Sequence, residues 1–566
     1  MKLFEDGRGR SWAFWGLCAW GLLVRVFAAG KAFPASGDAS HFVLHGKAFT
    51  ALGFEAISGY WSILPQYLSA WAVELGASAQ WTLQTTTVLF GVALVGAVYA
   101  LALELTGKRA VALSAGLLIA TNPVLTASSV SGLSETPHMA LATWALVLAF
   151  RGARKRKAAW FVAAALAGGV DLYYRPYDLA LYLFGAFPFV LWRLRGAGRW
   201  RGAVLVVCGL LVGGMASVPF FVITAKKSAG SAGSSKLVNL AFRKDGLSAQ
   251  AMYAAKGIRA EESSLNREIR ELQDAGVARY IWAHRGEMAR DFFPNFVKGV
   301  RHLDEHAFAG MFRMGMFWFA LLGMLCAWAM FRQGLGGVAL YAMVATGVVF
   351  SALSIGFVHP RWIMQCLPFY ALLAGGGFAW LAERAPAGLC RNLLWTCLLS
   401  GALLNGRWAV ARLDDEWKDR NLFAAASRLR ERVAENEKLM CFRPELAALF
   451  YQTNTLAWLT IPYGEVGEVF EWAELQHVDC LVLNDSVFPH FPIHGIERHP
   501  DTLPPGWREI DRFEFAKDTR FGPETNVFRV YRRAGASREN RDFRHRLQRG
   551  VPCRGDAAAD SLGCVG

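Results

Sequence analysis

The sequence predicts a polytopic α-helical membrane protein with a soluble α/β domain after its last span. Three observations predict this. Apolar runs about 20 residues long, the length that crosses a bilayer, recur through the first two thirds of the chain. The basic residues gather in alternate short connections between those runs. Beyond about residue 411 the pattern changes to short helical and extended stretches in alternation. The 566 residues are 54% hydrophobic and 13% aromatic, with 21 Trp and 39 Phe, as such an architecture requires.

In chain order, candidate spans lie near 12–30, 81–105, 109–122, 134–150, 158–172, 178–193, 202–224, 311–331, 336–356, 362–382 and 392–410, about 11 transmembrane helices. The first run lacks a trustworthy cleavage site after it and reads as a retained helix. Segments 40–53 and 60–76 read as amphipathic helices lying in the interface. The connections that carry Lys108 and Arg109, residues 151–157, Arg193 to Arg201, Arg332, and Arg384 with Arg391 are basic. The positive-inside rule makes them cytoplasmic, together with the N-terminus. The loop around Asp38, the 123–133 loop, the turn from Asp171 to Asp178, the 225–310 loop, the turn from Phe357 to Arg361 and the whole C-terminal domain then face the other side. The net charge of +15 is absorbed by this topology, so it gives no support for a nucleic-acid partner.

The outer loops are 31–80 and 225–310. The second is too long for a plain connector and reads either as a lid or as a docked helical pair. After the spans, 421–438 reads as an amphipathic helix, 439–442 as a buried strand, 445–451 as a helix, 455–460 as extended, 465–475 as a helix, and 478–484 and 527–531 as strands. This divides the chain into 1–411, a membrane domain; 412–533, a soluble α/β domain with a partly parallel sheet; and 534–566, a disordered basic tail. The ten Cys show no CxxC or Cys/His metal spacing, and several sit in apolar runs as small apolar residues. No GxGxxG occurs in the α/β part.

Polar residues with chemical potential all fall on the outer side, although the charge rule was applied without them. Asp38 is either a solvated helix end or a base. Glu135 opens the fourth span, with Ser134 as its N-cap and Pro137 in the first turn; an acid there complements the helix dipole or takes part in a site. Arg175 stands among Asp171, Tyr173, Tyr174, Tyr177 and Asp178. It either pairs with a neighbouring carboxylate or binds phosphate oxygens, to which a guanidinium fork is suited. The tyrosines form an aromatic belt or a sugar-stacking surface. His359 and Arg361 repeat the theme before a late span, with the His as a second proton acceptor or a tolerated interfacial residue. The segment from Tyr60 to Tyr67 either shapes a pocket or anchors an interfacial helix.

These pieces, in this order, resemble the GT-C superfamily of membrane glycosyltransferases, and more narrowly the protein mannosyltransferase and aminoarabinose transferase type. The resemblance rests on Gly37-Asp38-Ala39-Ser40-His41-Phe42, Leu64-Pro65-Gln66-Tyr67, Ser134-Glu135, Arg175-Pro176 and Arg361, followed in the outer domain by Arg443-Pro444-Glu445-Leu446 and Val478-Asp479-Cys480. It implies a GT-C fold and transfer of a sugar from a polyprenyl-phosphate donor to a hydroxyl of a lipid, glycan or protein, with inversion. Asp38 is then the general base. His41, Tyr60, Glu135, Tyr174, Arg175, Asp178, His359 and Arg361 are then substrate-binding residues. The resemblance further implies a bacterial inner membrane; it names no definite cofactor and leaves a divalent metal open. Ala39 stands where many relatives have a second acid, which weakens a metal site built on adjacent carboxylates. Two other functions fit the same outer groups: a transporter or flippase of a lipid-linked saccharide, and a scaffold whose outer domain binds a partner. The first is disfavoured by the one-sided polar groups and the lack of an inverted repeat.

Overall fold

The computed structural model describes residues 8–34, 37–57, 62–174, 364–386, 388–413, 417–451, 458–485, 491–498, 500–519 and 522–534, with isolated positions elsewhere. The expected spans at 178–193, 202–224, 311–331 and 336–356, the 225–310 loop and the basic tail lie outside the described residues. Elements are numbered here among those described.

The membrane part is built from α1 (Arg8–Ala29), α4 (Ala79–Thr106), α5 (Arg109–Thr121), α6 (Pro123–Val130), α7 (Glu135–Lys155), α8 (Ala158–Asp171), α9 (Leu367–Arg384) and α10 (Leu389–Arg412). By length and composition, three of the described helices can cross a membrane, or four if the bent pair α5–α6 counts as one span. Two shorter helices, α2 (Asp38–Leu52) and α3 (Ile63–Glu74), join α1 to α4. One apolar core runs through α1, α4, α5, α7 and α9, from Phe14 and Leu17 to Phe378 and Ala382.

The stretch expected as a 109–122 span followed by an outer loop is different. The helix breaks at Asn122-Pro123, turns by 55° and continues as α6. Proline has no N–H, so the carbonyl four residues earlier, that of Ile119, loses its helical donor. Asn122 accepts from the Leu125 N–H at 2.9 Å and starts the new helix. The abandoned carbonyls are answered by Arg25, which is fully buried near the C-terminal end of α1. Its guanidinium donates to Ala120 O at 3.2 Å, Ile119 O at 3.5 Å, Gly21 O at 3.1 Å and the Ser129 hydroxyl at 3.1 Å. A side chain at Gly91 would collide with this arginine, since a Cβ there would lie 2.4 Å from Arg25 Nε.

A polar stripe on α4 completes the repair. Gln80, Gln84 and Thr87 recur at helical spacing and are all buried. Gln84 donates to Val130 O at 2.8 Å and Thr87 to Ser129 O at 2.7 Å, so the C-terminal carbonyls of α6 are paired. At the opposite end of the bundle Glu104 receives Arg151 at 2.6 Å and Arg154 at 3.0 Å, and Lys108 pairs with Glu383 at 2.6 Å. Among the described residues, the basic connections at Lys108 and at Arg151 and Arg154 therefore meet at one end.

The C-terminal part holds α11 (Trp417–Arg432), β1 (Leu439–Cys441), α12 (Pro444–Phe450), β2 (Trp458–Leu459), α13 (Val466–Leu475), β3 (Cys480–Asn484), β4 (Trp507–Thr519) and β5 (Gly522–Arg533). The sheet order is β2-β1-β3-β5-β4. The first three strands are parallel and the last two pair antiparallel. β2 is shorter than the expected 455–460 stretch, and β5 is longer than 527–531. β4 was not foreseen. Its alternation breaks at an irregularity between Glu509 and Asp511. Without that shift Trp507 and Phe513 would share a face. With it, Trp507 joins the core under α13 while Phe513 joins the core on the other face.

That second core is shared with the membrane part. It runs from Phe33, Ala39, Phe42 and Leu83 to Leu422, Leu446, Cys480 and Phe528. Helix α2 accordingly lacks the broad wet face expected of an amphipathic helix. Phe42, Val43, Leu44 and Ala48 are all buried, between α3, α4 and α12.

Arg25→Met is expected to leave Ser129 and the carbonyls of Ile119 and Ala120 short of donors, each worth about 1–3 kcal/mol when buried. The thermal midpoint of the detergent-solubilised protein should fall by several degrees; an unchanged midpoint would show that the bend holds itself.

Candidate active site

The end of the bundle that meets the C-terminal domain gathers the described candidates. Asp38 is the first residue of α2, half-buried, in the turn where a negative charge complements the helix dipole. The chain enters this helix through Gly37, whose φ of 56° and ψ of −125° suit only glycine. Ser40 secures the first turn, its N–H and hydroxyl reaching Gly37 O at 3.0 Å and 2.5 Å.

The start of α2 packs on the turn before α7. Gly132 has φ 72°, and a Cβ there would lie 2.9 Å from Pro34 O and 3.3 Å from the Ala39 Cβ. Glycine is thus required both for the turn and for the approach. The chain then enters α7 at Glu135, which is 1% exposed. Ser134 occupies the N-cap position but does not cap with its side chain, because its backbone is already helical. The expected capping role therefore falls away. Pro137 does sit in the first turn.

One turn further, His138 Nδ1 meets Asp171 Oδ1 at 3.0 Å, with both side chains buried. A carboxylate in this position fixes the ring orientation and favours a proton on Nδ1. Tyr174 follows Asp171 by three residues and is 3% exposed. Burial pushes its phenol up, with the Asp171 charge adding to the effect, so the hydroxyl keeps its proton. The turn around it is tied to the start of α3. Tyr173 O accepts the N–H groups of Ile63 at 3.0 Å and Leu64 at 3.3 Å, and the Ser62 hydroxyl donates to Tyr174 O at 2.8 Å. His41 is half-buried, with its ring 5.6 Å from that of Trp458 on β2.

Thus the structure draws Asp38, His41, Glu135 and Tyr174 into one connected region at the same end of the bundle. Tyr60, Arg175, Asp178, His359 and Arg361 lie outside the described residues. Sequence reasoning passed over His138, which closes the same motif as Glu135, although the spacing of the two places them one helical turn apart. It also missed Lys47 and Glu445, whose roles depend on partners about 400 residues away. Among the described residues no group of three or more His, Cys, Asp or Glu stands together as a metal-holding cluster.

The C-terminal domain seals this region through α12. Lys47 donates to Ala448 O and Tyr451 O, both at 2.8 Å, and Gln80 donates to Ala448 O at 3.2 Å. Arg430 reaches Phe450 O at 3.1 Å and also donates to Leu449 O. Every carbonyl of the helix end is thereby paired, by two cations that suit its negative pole. Burial, with the positive Arg430 nearby, pushes the Lys47 ammonium down to about 8.

Residues 62–222 match the dolichyl-phosphate-mannose-protein mannosyltransferase family. None of the curated proteins compared with the sequence matches it. Among solved structures, the fold is similar to that of ArnT from Cupriavidus metallidurans bound to undecaprenyl phosphate. That likeness has a TM-score of 0.54 at 14% identity and covers 91% of this chain and 97% of that one. It is also similar to the apo oligosaccharyltransferase of Archaeoglobus fulgidus, with a TM-score of 0.52 at 12% identity, over 85% of this chain and 70% of that one. At such identities the likeness is one of fold: a multi-pass helical membrane protein of the GT-C type with a C-terminal mixed sheet.

Lys47→Met is expected to loosen the seating of the C-terminal domain by about 1–3 kcal/mol, since Tyr451 O loses its donor. The folded-state value of about 8 lies below the ordinary 10.5. Native Lys47 therefore sheds its proton before the unfolded chain does, and the native state gains stability as pH rises through that window. Thermal melts of both proteins from pH 7 to 10.5 should show the gap between them widening above pH 8. A gap independent of pH would contradict the assignment.

Proposed function

We propose that this chain, a GT-C membrane glycosyltransferase by family match and fold, moves a sugar from a polyprenyl-phosphate donor to an acceptor hydroxyl, with Asp38 as general base. The observation that carries the reading is the gathering of Asp38, Glu135, the His138–Asp171 pair and Tyr174 at one end of a fold similar to that of a structure holding undecaprenyl phosphate. In this reading the basic end, with Lys108, Arg151 and Arg154, faces the cytoplasm, and the site and C-terminal domain face the other side.

The chemistry follows from one displacement. The acceptor O–H gives its proton to the Asp38 carboxylate as its oxygen attacks the anomeric carbon. The bond from that carbon to the phosphate oxygen breaks, and the electron pair leaves with the polyprenyl phosphate. Attack from the face opposite the leaving group inverts the anomeric centre. Arg175 and Arg361 are the side chains proposed to neutralise the charge that grows on the phosphate. Tyr174, held protonated, offers a hydrogen-bond donor and an aromatic wall rather than a second base. The sequence context of Glu135 and His138 suits a role in orienting donor or acceptor hydroxyls, with Asp171 holding the imidazole.

The test compares the native chain with Asp38→Asn in nanodiscs, using undecaprenyl-phosphate-linked sugars and membrane-extracted acceptors. Loss of the base is expected to lower turnover about 10²–10⁴-fold while donor binding persists. Equal turnover by the two proteins would remove Asp38 as the base. Donor binding and bilayer translocation without transfer would favour the transporter reading instead.

A further inference from the structure

We infer that Glu445, in the C-terminal domain, is a positioning residue for the catalytic loop, so that the active site is incomplete without that domain. The inference rests on Asp38 being the base. Gly37, immediately before Asp38, donates its backbone N–H to Glu445 Oε1 at 2.7 Å. Glu445 stands in the first turn of α12 and is 4% exposed. Its other oxygen receives Arg443 Nε at 3.0 Å. The carboxylate is therefore clamped between a guanidinium and a backbone amide, an arrangement with little rotational freedom and a charge-assisted bond to the loop.

The donating amide is the one that needs holding. Gly37 combines φ 56° with ψ −125°, a conformation open to glycine but poorly self-supporting, and its surface is exposed. A Cβ at Gly37 would meet nothing within 4 Å, so packing does not fix it either. Ser40 holds the Gly37 carbonyl from within the helix, and the bond to Glu445 holds the N–H on the other side of the residue. The base of α12 is rigid because its other end is clamped by Lys47, Gln80 and Arg430. A second contact from the same domain, Trp458 against His41, touches α2 one turn beyond Asp38. Catalytic groups displaced by about 1 Å lose turnover steeply, which gives such a restraint its value.

The experiment uses the full chain in nanodiscs with Glu445→Ala, Glu445→Gln and Asp38→Asn. Amide exchange of the peptide covering 34–42 is followed by mass spectrometry, alongside the thermal midpoint and the kcat and KM for undecaprenyl-phosphate-linked sugars. Glu445→Ala should speed Gly37 exchange about tenfold and lower kcat about tenfold with KM changed about twofold or less. Glu445→Gln, which keeps an acceptor oxygen, should restore most of both. If Glu445→Ala does not accumulate as folded protein, Arg443→Met, which frees the carboxylate, carries the same readouts. Unchanged exchange, or faster exchange with unchanged kcat, overturns the inference. The exchange arm reads the contact whatever the chemistry, so full turnover by Asp38→Asn would sink the base assignment and leave the Glu445 contact separately decided.

Discussion

Carbonyl groups at helix ends that lie away from water govern this structure. The bend at Asn122-Pro123 and the short helix α12 each leave buried carbonyls without helical donors, and an unpaired buried carbonyl is expensive in lipid and in a protein core alike. One face of α4 meets both demands. Gln80 serves α12, Gln84 and Thr87 serve α6, and Gly91 makes room for Arg25, which serves the end of α5. The stripe thus links the broken span to the C-terminal domain across about three helical turns.

The site inherits its position from that linkage. With α6 held against α4, the turn at Gly132 is brought under the start of α2 and α7 begins beside it. With α12 held against Lys47 and Gln80, Glu445 stands at the Gly37 amide. The buried His138–Asp171 pair joins α7 to α8, and the turn after α8 in turn starts α3. Among the described residues, the amide before Asp38, the His138 imidazole and the turn that carries Tyr174 are each held by a contact between elements distant in sequence, on a framework of packed apolar helices.

The resulting architecture makes the C-terminal domain more than an appendage. Its core is continuous with that of α2 and α4, and its sheet contributes β1 and β3 residues to that core on one face while α13 covers the other. The irregularity in β4 lets one long strand serve both faces, with Trp507 on one side and Phe513 on the other.

Much of this was legible in the sequence. Apolar run length marked the described membrane helices, loop charge marked one end of the bundle among the described residues, and alternation of short patterns marked the parallel half of the C-terminal sheet. Those features are local, set by solvent preference and backbone sterics over a few residues. Asp38, Glu135 and Tyr174 stood out as candidates because polar groups in a membrane chain are conspicuous. The tertiary structure alone decided what answers the carbonyls orphaned at Pro123, which groups pair with His138 and Lys47, and that α2 is packed on most of its surface. It also decided that a glutamate in the last domain holds the amide beside Asp38. Hydrogen bonds between residues 100 to 400 positions apart leave no periodic trace, because their energy depends on where packing puts two chain segments and not on what stands next to either one.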